Sequence, residues 1–362
     1  GKTTACVEIV KQNPNKSVLI LTPFETLTVN SADKYEVESY KDHTPEILKR
    51  ANRLAIHPKS LHRLGNDGTI RHFDIVIGDE IDQLIQQYTS KIYEGSESAT
   101  ALKILQEILH NAKQIIGTSA HITDLDVKTL ETLSGKDAYV IENTYTRDMP
   151  AMTLHADFRN VIHDAITLAT KAPKGAPVII PCGGKKTARK IKLQAIRQYG
   201  IDENDILFMS SRNSSKSSIR EIISDPNKHF PKYKLIIYTS SAGTGMDYTG
   251  KCSGVFGVFN NRQMTPQSDM QMMERARYAD SYHACVQLGY MDLETNAQAI
   301  INRKKRNYEA TRQLANITTT IKLENLLLQD IGAKYEAQNN TPKTDKLSYF
   351  VAYAKVQGHP IQ

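Results

Sequence analysis

The chain has 362 residues, enough for two domains of ordinary size with cores of their own. With 40% hydrophobic and 23% charged residues the composition is globular, and no apolar run approaches the ~18 residues of a membrane helix. Cys6, Cys182, Cys252 and Cys285 include no C-x-x-C pair, which argues against a zinc or disulfide framework and fits a reducing compartment, while the net charge of +7 suits a nucleic-acid partner without requiring one.

The chain opens "GKTTACVEIV". Gly1, Lys2 and Thr3, followed by a helical pattern, are the second half of a phosphate-binding loop, G-x-x-x-x-G-K-[ST]. Such a loop needs a strand and an earlier glycine ahead of it. Either the tripeptide is chance, or the sequence begins inside the motif. No signal-peptide pattern is present at the start.

Short apolar runs then alternate with helical stretches. "SVLILT" (17–22), "DIVIGD" (74–79) and "AKQIIGTSA" (112–120) read as buried strands, with helices such as "SATALKILQEILHN" between them. "ENTYTRDMPAM" (142–152) is a connector, after which the alternation restarts with strands in 176–183, "DILFMSS", 233–240 and 253–260. From about residue 292 the pattern becomes a basic, then amphipathic helix. The expected organisation is α/β: two tandem domains on parallel sheets, 1–148 and 149–291, and a helical segment, 292–362, whose end looks cut.

A second motif tests the first. "FDIVIGDEIDQL" sets Asp79 and Glu80 directly after an apolar strand, as phosphate-loop ATPases require. In such a site Lys2 neutralises phosphates, and Thr3 and Asp79 hold Mg²⁺. Glu80 is placed to take a proton from the attacking water. The helix beginning at Thr3 and Thr4 turns its N-terminus to the phosphates. A lone GKT arises by chance often, and a lone D-E-x-D is usually a solvated helix start. Both in order, each beside its own strand or helix, point to ATP.

These motifs, with others in fixed order over 1–290, resemble superfamily 2 helicases. The nearest resemblance is to the replication-origin-binding branch of herpesviruses and of plasmid and phage replication proteins. "VLILTPFETL" is similar to the first nucleic-acid motif, "RLAIHPKSLHRL" to an S-L-H-R-L segment of that branch, and "GTSAHITD" to S-A-T with His121 in place of threonine. "VIIPCGGKKTARKI" resembles the motif opening the second domain, "LIIYTSSAGTGMDYTG" the fifth motif and "QMMERARYAD" the sixth. The sixth departs from Q-x-x-G-R-x-x-R: Glu274 replaces glycine, and Arg277 follows Arg275 one residue early. The origin-binding branch shares that shortening.

The resemblance implies two RecA-like domains, ATP and Mg²⁺ as cofactors, and an ATP-driven DNA helicase in replication of a virus, phage or plasmid. It implies Gly1, Lys2, Thr3, Thr4, Gly245 and Asp247 at the nucleotide, and Gln271 with Arg275 or Arg277 as phosphate contacts. Thr22, Pro23, Ser60, Thr239 and Ser240 are implied at the nucleic-acid backbone. On a helix at ~100° per residue, Gln271 and Arg275 lie ~40° apart but Arg277 lies ~200° from Arg275. Both arginines reach one phosphate only where the helix ends or bends near Arg277. Replication proteins are expected partners, no membrane is, and the location is cytoplasmic, or nuclear for a nuclear virus. Alternatives are an ATP-switched origin-binding module without unwinding, and an RNA-directed helicase.

Other conspicuous residues have plainer readings. Met264, Met270, Met272 and Met273 pack a core. His57, His62 and His163 lack partners at metal spacing, and Cys182 reads as a packed thiol. "NRKKRNY" (302–308) is either a phosphate-contacting or a solvated basic helix face.

Overall fold

The computed structural model describes residues 2–48, 50–65, 70–89, 96–145, 147–214, 216–240, 246–260, 264–287, 291–314 and 324–362. They divide into two compact units, 1–142 with 294–338 and 143–293 with 339–362.

The first unit is built on β1 (Val18–Leu21), β2 (Glu38–Ser39), β3 (Arg53–Ile56), β4 (Ile75–Asp79) and β5 (Gln114–Thr118). All are parallel, in the order β2-β3-β1-β4-β5. Side chains alternate between faces. Leu19, Leu21, Leu54, Ile56 and Val76 pack on one side, and Val18, Ile20, Ala55, Ile75 and Ile77 on the other. Helices α1 (Lys2–Gln12) and α2 (Glu25–Tyr35) cover the second side with Cys6, Val10, Ala32 and Tyr35. The first is covered by α3 (Pro45–Leu48), α4 (Ile81–Thr89), α5 (Ser96–Asn111) and α6 (Asp124–Ser134). Burial on both faces explains why these strands read as unbroken apolar runs rather than alternating ones. β5 is an edge among the described residues, and its Ile115 and Ile116 stay half-buried.

Asp74 fastens the base of this sheet. Its Oδ2 accepts from the amide and hydroxyl of Ser17 at 3.0 and 2.9 Å, and Lys113 Nζ lies 2.8 Å from its Oδ1. Lys113 and then Ser17 hold the carboxyl well below the usual carboxylate range. The opposite, C-terminal ends of the strands are left to carry the site.

In the second unit, β6 (Met152–Leu154), β7 (Val178–Cys182), β8 (Ile206–Met209), β9 (Leu235–Thr239), β11 (Gly254–Phe259) and β13 (Tyr282–Val286) form a parallel sheet. Its order is β6-β13-β11-β7-β9-β8. β10 (Tyr248–Cys252) and β12 (Ala276–Ala279) pair separately, also in parallel. Helices α7 (Phe158–Lys171) and α8 (Lys185–Tyr199) pack one face through Val161, Ala165, Ala188 and Ile191. Helices α9 (Ser217–Ser224), α10 (Pro226–His229) and α11 (Pro266–Met273) lie with the core of the other, where Ile222, Met270 and Met273 sit.

The α/β class with two parallel sheets thus holds. The helical segment comprises α12 (Ala297–Leu314), α13 (Glu324–Thr344) and α14 (Lys346–Val356), and it is shared between the units, the boundary falling inside α13. Ile331 and Tyr335 join the first core, and Phe350 and Ala354 the second. Residues 360–362 return to β6, where Met152 N donates to Pro360 O at 2.7 Å and Gln362 N to Met152 O at 3.0 Å.

Two stretches add to the sequence expectation. Residues 53–56, read above only as part of a motif, are a strand beside β1. Residues 271–280 are helical only to Met273. Glu274 N closes the last turn on Met270 O, and the Arg275 carbonyl accepts from Tyr248 N at 2.8 Å, drawing the chain into strand β12.

Candidate functional site

In the first unit the site residues gather where β4 and β5 end. Ile81 packs closely over Gly78 and Gly117 there: a Cβ on Gly78 would stand 2.6 Å from Ile81 Cδ1, and one on Gly117 3.3 Å from Ile81 Cγ2, so a side chain at either would have to displace Ile81. With Ile81 folded tightly back onto the sheet, the chain reverses within two residues. Glu80 absorbs the turn in the left-handed region, at φ 53. That conformation costs a non-glycine residue on the order of 1–3 kcal/mol, and such strain gathers at functional sites. It leaves Glu80 Oε2 buried with no hydrogen-bond partner.

The neighbouring strand supplies the support. Parallel register sets Thr118 beside Asp79, and Thr118 Oγ1 donates to Asp79 Oδ1 at 2.9 Å. One step on, Ser119 Oγ donates to Asp82 Oδ1 at 2.6 Å and accepts from the His121 amide at 3.1 Å. Burial, reinforced by Glu80 and Asp126 and opposed by Ser119, pushes the Asp82 carboxyl up to about 6. Burial and then the Lys2 ammonium push His121 down to about 4. Asp79 also acts on Cys6 of α1. At the start of α1, Lys2 and Thr4 are exposed and Thr3 is half-buried, and Lys2 lies within electrostatic reach of His121 after β5. Gly1 lies outside the described residues.

These groups fit a magnesium–nucleotide complex. Asp79 and the Thr3 hydroxyl are hard oxygen donors, and Mg²⁺ characteristically takes one or two carboxylates plus substrate phosphates rather than an all-protein cage. Asp79, already oriented by Thr118, and Thr3 would hold the ion, with Lys2 at the phosphates.

The expected nucleic-acid contacts of this unit are placed differently from one another. The Thr22 hydroxyl is fully buried and lies 2.5 Å from that of Thr28, while the Pro23 carbonyl meets His57 Nε2 at 2.9 Å. Both residues shape the loop after β1 from inside. Ser60 is half-buried in a 3₁₀ turn, its amide donating to His57 O at 2.8 Å.

In the second unit, Thr239 ends β9 in a buried position and Ser240 follows it half-buried. Gly245 lies outside the described residues. Asp247 meets Arg277 in a two-point ion pair, Nε to Oδ1 at 2.5 Å and Nη2 to Oδ2 at 2.8 Å, both side chains about half exposed. Arg275 Nη1 donates to Met246 O at 3.2 Å. Gln271 is half-buried on α11. The helix end before Arg275 answers the wheel objection, and both arginines hold the 246–248 segment. Burial pushes the Glu274 carboxyl up to about 7 against the pull of Arg147, Arg275 and Arg277.

Thr118, Ser119 and Asp82 went unassigned in the sequence. The signal available was position: "GTS" closes the strand beside "IGDEID", and parallel neighbours end at the same level.

Residues 1–167 match the family described as origin of replication binding protein. No curated protein matches the chain. Among solved structures, S. cerevisiae Dbp5 bound to RNA and ADP BeF3 is 14% identical with a TM-score of 0.56, over 91% of this chain and 86% of that one. The DEAD-box helicase Mss116 bound to ssRNA and UDP-BeF is 14% identical with a TM-score of 0.56, over 100% and 87%. The DUF1998 helicase MrfA bound to DNA and AMPPNP is 15% identical with a TM-score of 0.57, over 96% of this chain and 53% of that one. At such identities the likeness is one of fold. Residues 1–167 are thus similar to the origin of replication binding proteins, and the fold is the tandem RecA-like one of these helicase structures.

Proposed function

We propose that the chain is an ATP-dependent DNA helicase or translocase acting at the start of replication of a virus, phage or plasmid. One observation carries the reading most directly: Asp79 and Glu80 stand at a strained strand end, Thr118 orients Asp79, and the field of Lys2 reaches the same place. The family match over 1–167 supports DNA and replication as the setting.

Bound Mg²⁺ would neutralise phosphate charge. The remaining roles belong to the chain. Lys2 offers a cation to the phosphates, and the unpartnered Glu80 oxygen accepts a proton from water. Arg275 and Arg277 are the phosphate contacts of the second unit, Arg277 after release from Asp247. Thr239 and Ser240 are proposed at the nucleic-acid backbone, which carries no base information. Replication proteins are proposed as partners.

The test is ATP hydrolysis with and without single-stranded DNA, followed by strand displacement. Lys2→Ala is expected to abolish hydrolysis, and Arg275→Ala to reduce it by ~10³ while DNA binding stays nearly intact. Hydrolysis indifferent to DNA across a range of salt would sink the motor. An RNA-directed enzyme is a second reading, favoured by the RNA-bound neighbours Dbp5 and Mss116. Stimulation by RNA alone selects it, and stimulation without strand displacement selects an ATP-switched module.

A further inference from the structure

Helix α11 carries Gln271 and runs directly into the segment with Arg275 and Arg277, so whatever fixes α11 sets where that segment begins. Thr265 caps its start, the hydroxyl accepting from Ser268 N at 3.3 Å, with Pro266 in the first turn. Asp269 follows, fully buried, where a solvated side chain would serve equally well for a helix start. Its partner comes from a distant part of the sequence. Lys346, at the start of α14 and equally buried, places Nζ 2.5 Å from Asp269 Oδ2 and donates to the Asn260 carbonyl at 2.6 Å. Asn260 is the residue after β11. One ammonium thus joins the end of β11, the first turn of α11 and the first turn of α14. Phe350 of α14 meets the Phe259 ring at 6.0 Å and completes the packing.

A buried ion pair is weak evidence for stability, because an apolar pair of similar volume often does as well. Breaking it from one side, however, leaves a buried polar group that must either give up its charge by proton transfer or be solvated by rearrangement. The groups facing Asp269 are Lys346 and, at longer range, Lys343 of α13. No other cation acts on it among the described residues.

We propose that Lys346 is a positioning residue for Arg275 and Arg277: through Asp269 it sets α11, and with it the segment 274–279 that carries them. The inference rests on the reading of those arginines given above. It makes the C-terminal helix part of the hydrolytic apparatus although it touches no substrate.

Two independent readouts test it on the full chain. In Lys346→Met, amide hydrogen exchange across 274–279 is expected to rise at least ~10-fold while β7 and β9 stay protected. DNA-stimulated kcat is expected to fall ~10²-fold, the cost of a misplaced catalytic group, with KM for ATP within about twofold. Lys346→Met/Asp269→Leu, an apolar pair, is expected to restore both protection and most of the turnover. Should Lys346→Met not fold, Asp269→Asn is measured in the same two ways. A folded single variant with wild-type exchange and kcat overturns the proposal, as does a double variant no better than the single. Absence of any hydrolysis in the unaltered chain counts against the motor reading alone, since exchange across 274–279 still reports on Lys346.

Discussion

Thr118→Val isolates one hydrogen bond at the site with almost no change of shape. Valine keeps the branched volume and removes the hydroxyl that donates to Asp79 Oδ1 at 2.9 Å. A hydrogen bond to a charged group contributes about 1.5–3 kcal/mol net. Asp79 is half-buried and water replaces part of the loss, so the lower end applies. At ~1.4 kcal/mol per decade this is about tenfold in affinity, the low side of the 10–100-fold seen when support behind a metal ligand is removed. The effect belongs to the metal-loaded nucleotide. Titration calorimetry with ADP is therefore run with Mg²⁺ and with EDTA. The dissociation constant for Mg·ADP is expected to rise about tenfold, and that for metal-free ADP to stay put. Equal changes in both, or none in either, would refute the assignment of Asp79 as the metal ligand.

Three further outcomes are expected. A double-mutant cycle of Asp247→Asn and Arg277→Gln, followed by urea unfolding, should give a coupling of ~0.5–1 kcal/mol, because the pair is two-pointed but about half exposed; coupling that persists unchanged under saturating nucleotide counts against release of Arg277. His121 titrates at about 4 folded and at its ordinary 6.5 unfolded, so its contribution is full above pH 6.5 and is lost as pH falls towards 4. By pH 5 the loss is ~2 kcal/mol, and His121→Thr should lose that much less between pH 7 and 5; identical losses contradict the low value. Lys305 and Arg306 are exposed on α12, while Arg303 and Lys304 are tied to Glu336. Lys305→Ala/Arg306→Ala should reduce the salt slope of single-stranded DNA binding by about 1.4, and an unaltered slope marks a merely solvated face.

How much of the fold the sequence disclosed follows from what each strand buries. β1, β4, β7, β9 and β11 are closed on both faces, so each reads as a largely apolar run rather than an alternating one. β10 and β12 escaped notice because they are half-exposed, with Thr249 and Lys251 in one and Arg277 and Tyr278 in the other turned outward. Their pairing is non-local: Tyr248 meets Ala276 across 28 residues, which no local pattern reveals. The wheel at 271–280 asked for a helix that ends near Arg277, and where it ends was not readable for the same reason. Three buried methionines sustain a helix pattern to Met273, after which Tyr248 N bonds to the Arg275 carbonyl and residues 276–279 pair with β10.

The site was legible to the extent that its chemistry lies in short strings. "GKT" and "IGDEID" carry their residues at fixed spacing because a strand end and a helix start must present them together. Support from a neighbouring strand follows a different rule. Thr118 is 39 residues from Asp79, and only parallel register makes them adjacent. Lys346 is further still from Asp269, and nothing in its surroundings, "TDKLSYF", separates it from a surface lysine. What singles it out is complete burial, a three-dimensional property. A lysine pays heavily for leaving water, and the structure shows the two oxygens that receive it. Groups that meet substrate are thus constrained locally and can be read from the chain, whereas groups that hold them are constrained by packing and need coordinates. The second class is also the more exchangeable one, since an apolar pair can replace the ions. Catalytic strings should therefore persist among relatives of this chain in which the Asp269–Lys346 pair has given way to hydrophobic residues of similar volume, and relatives that changed only one of the two would contradict its role.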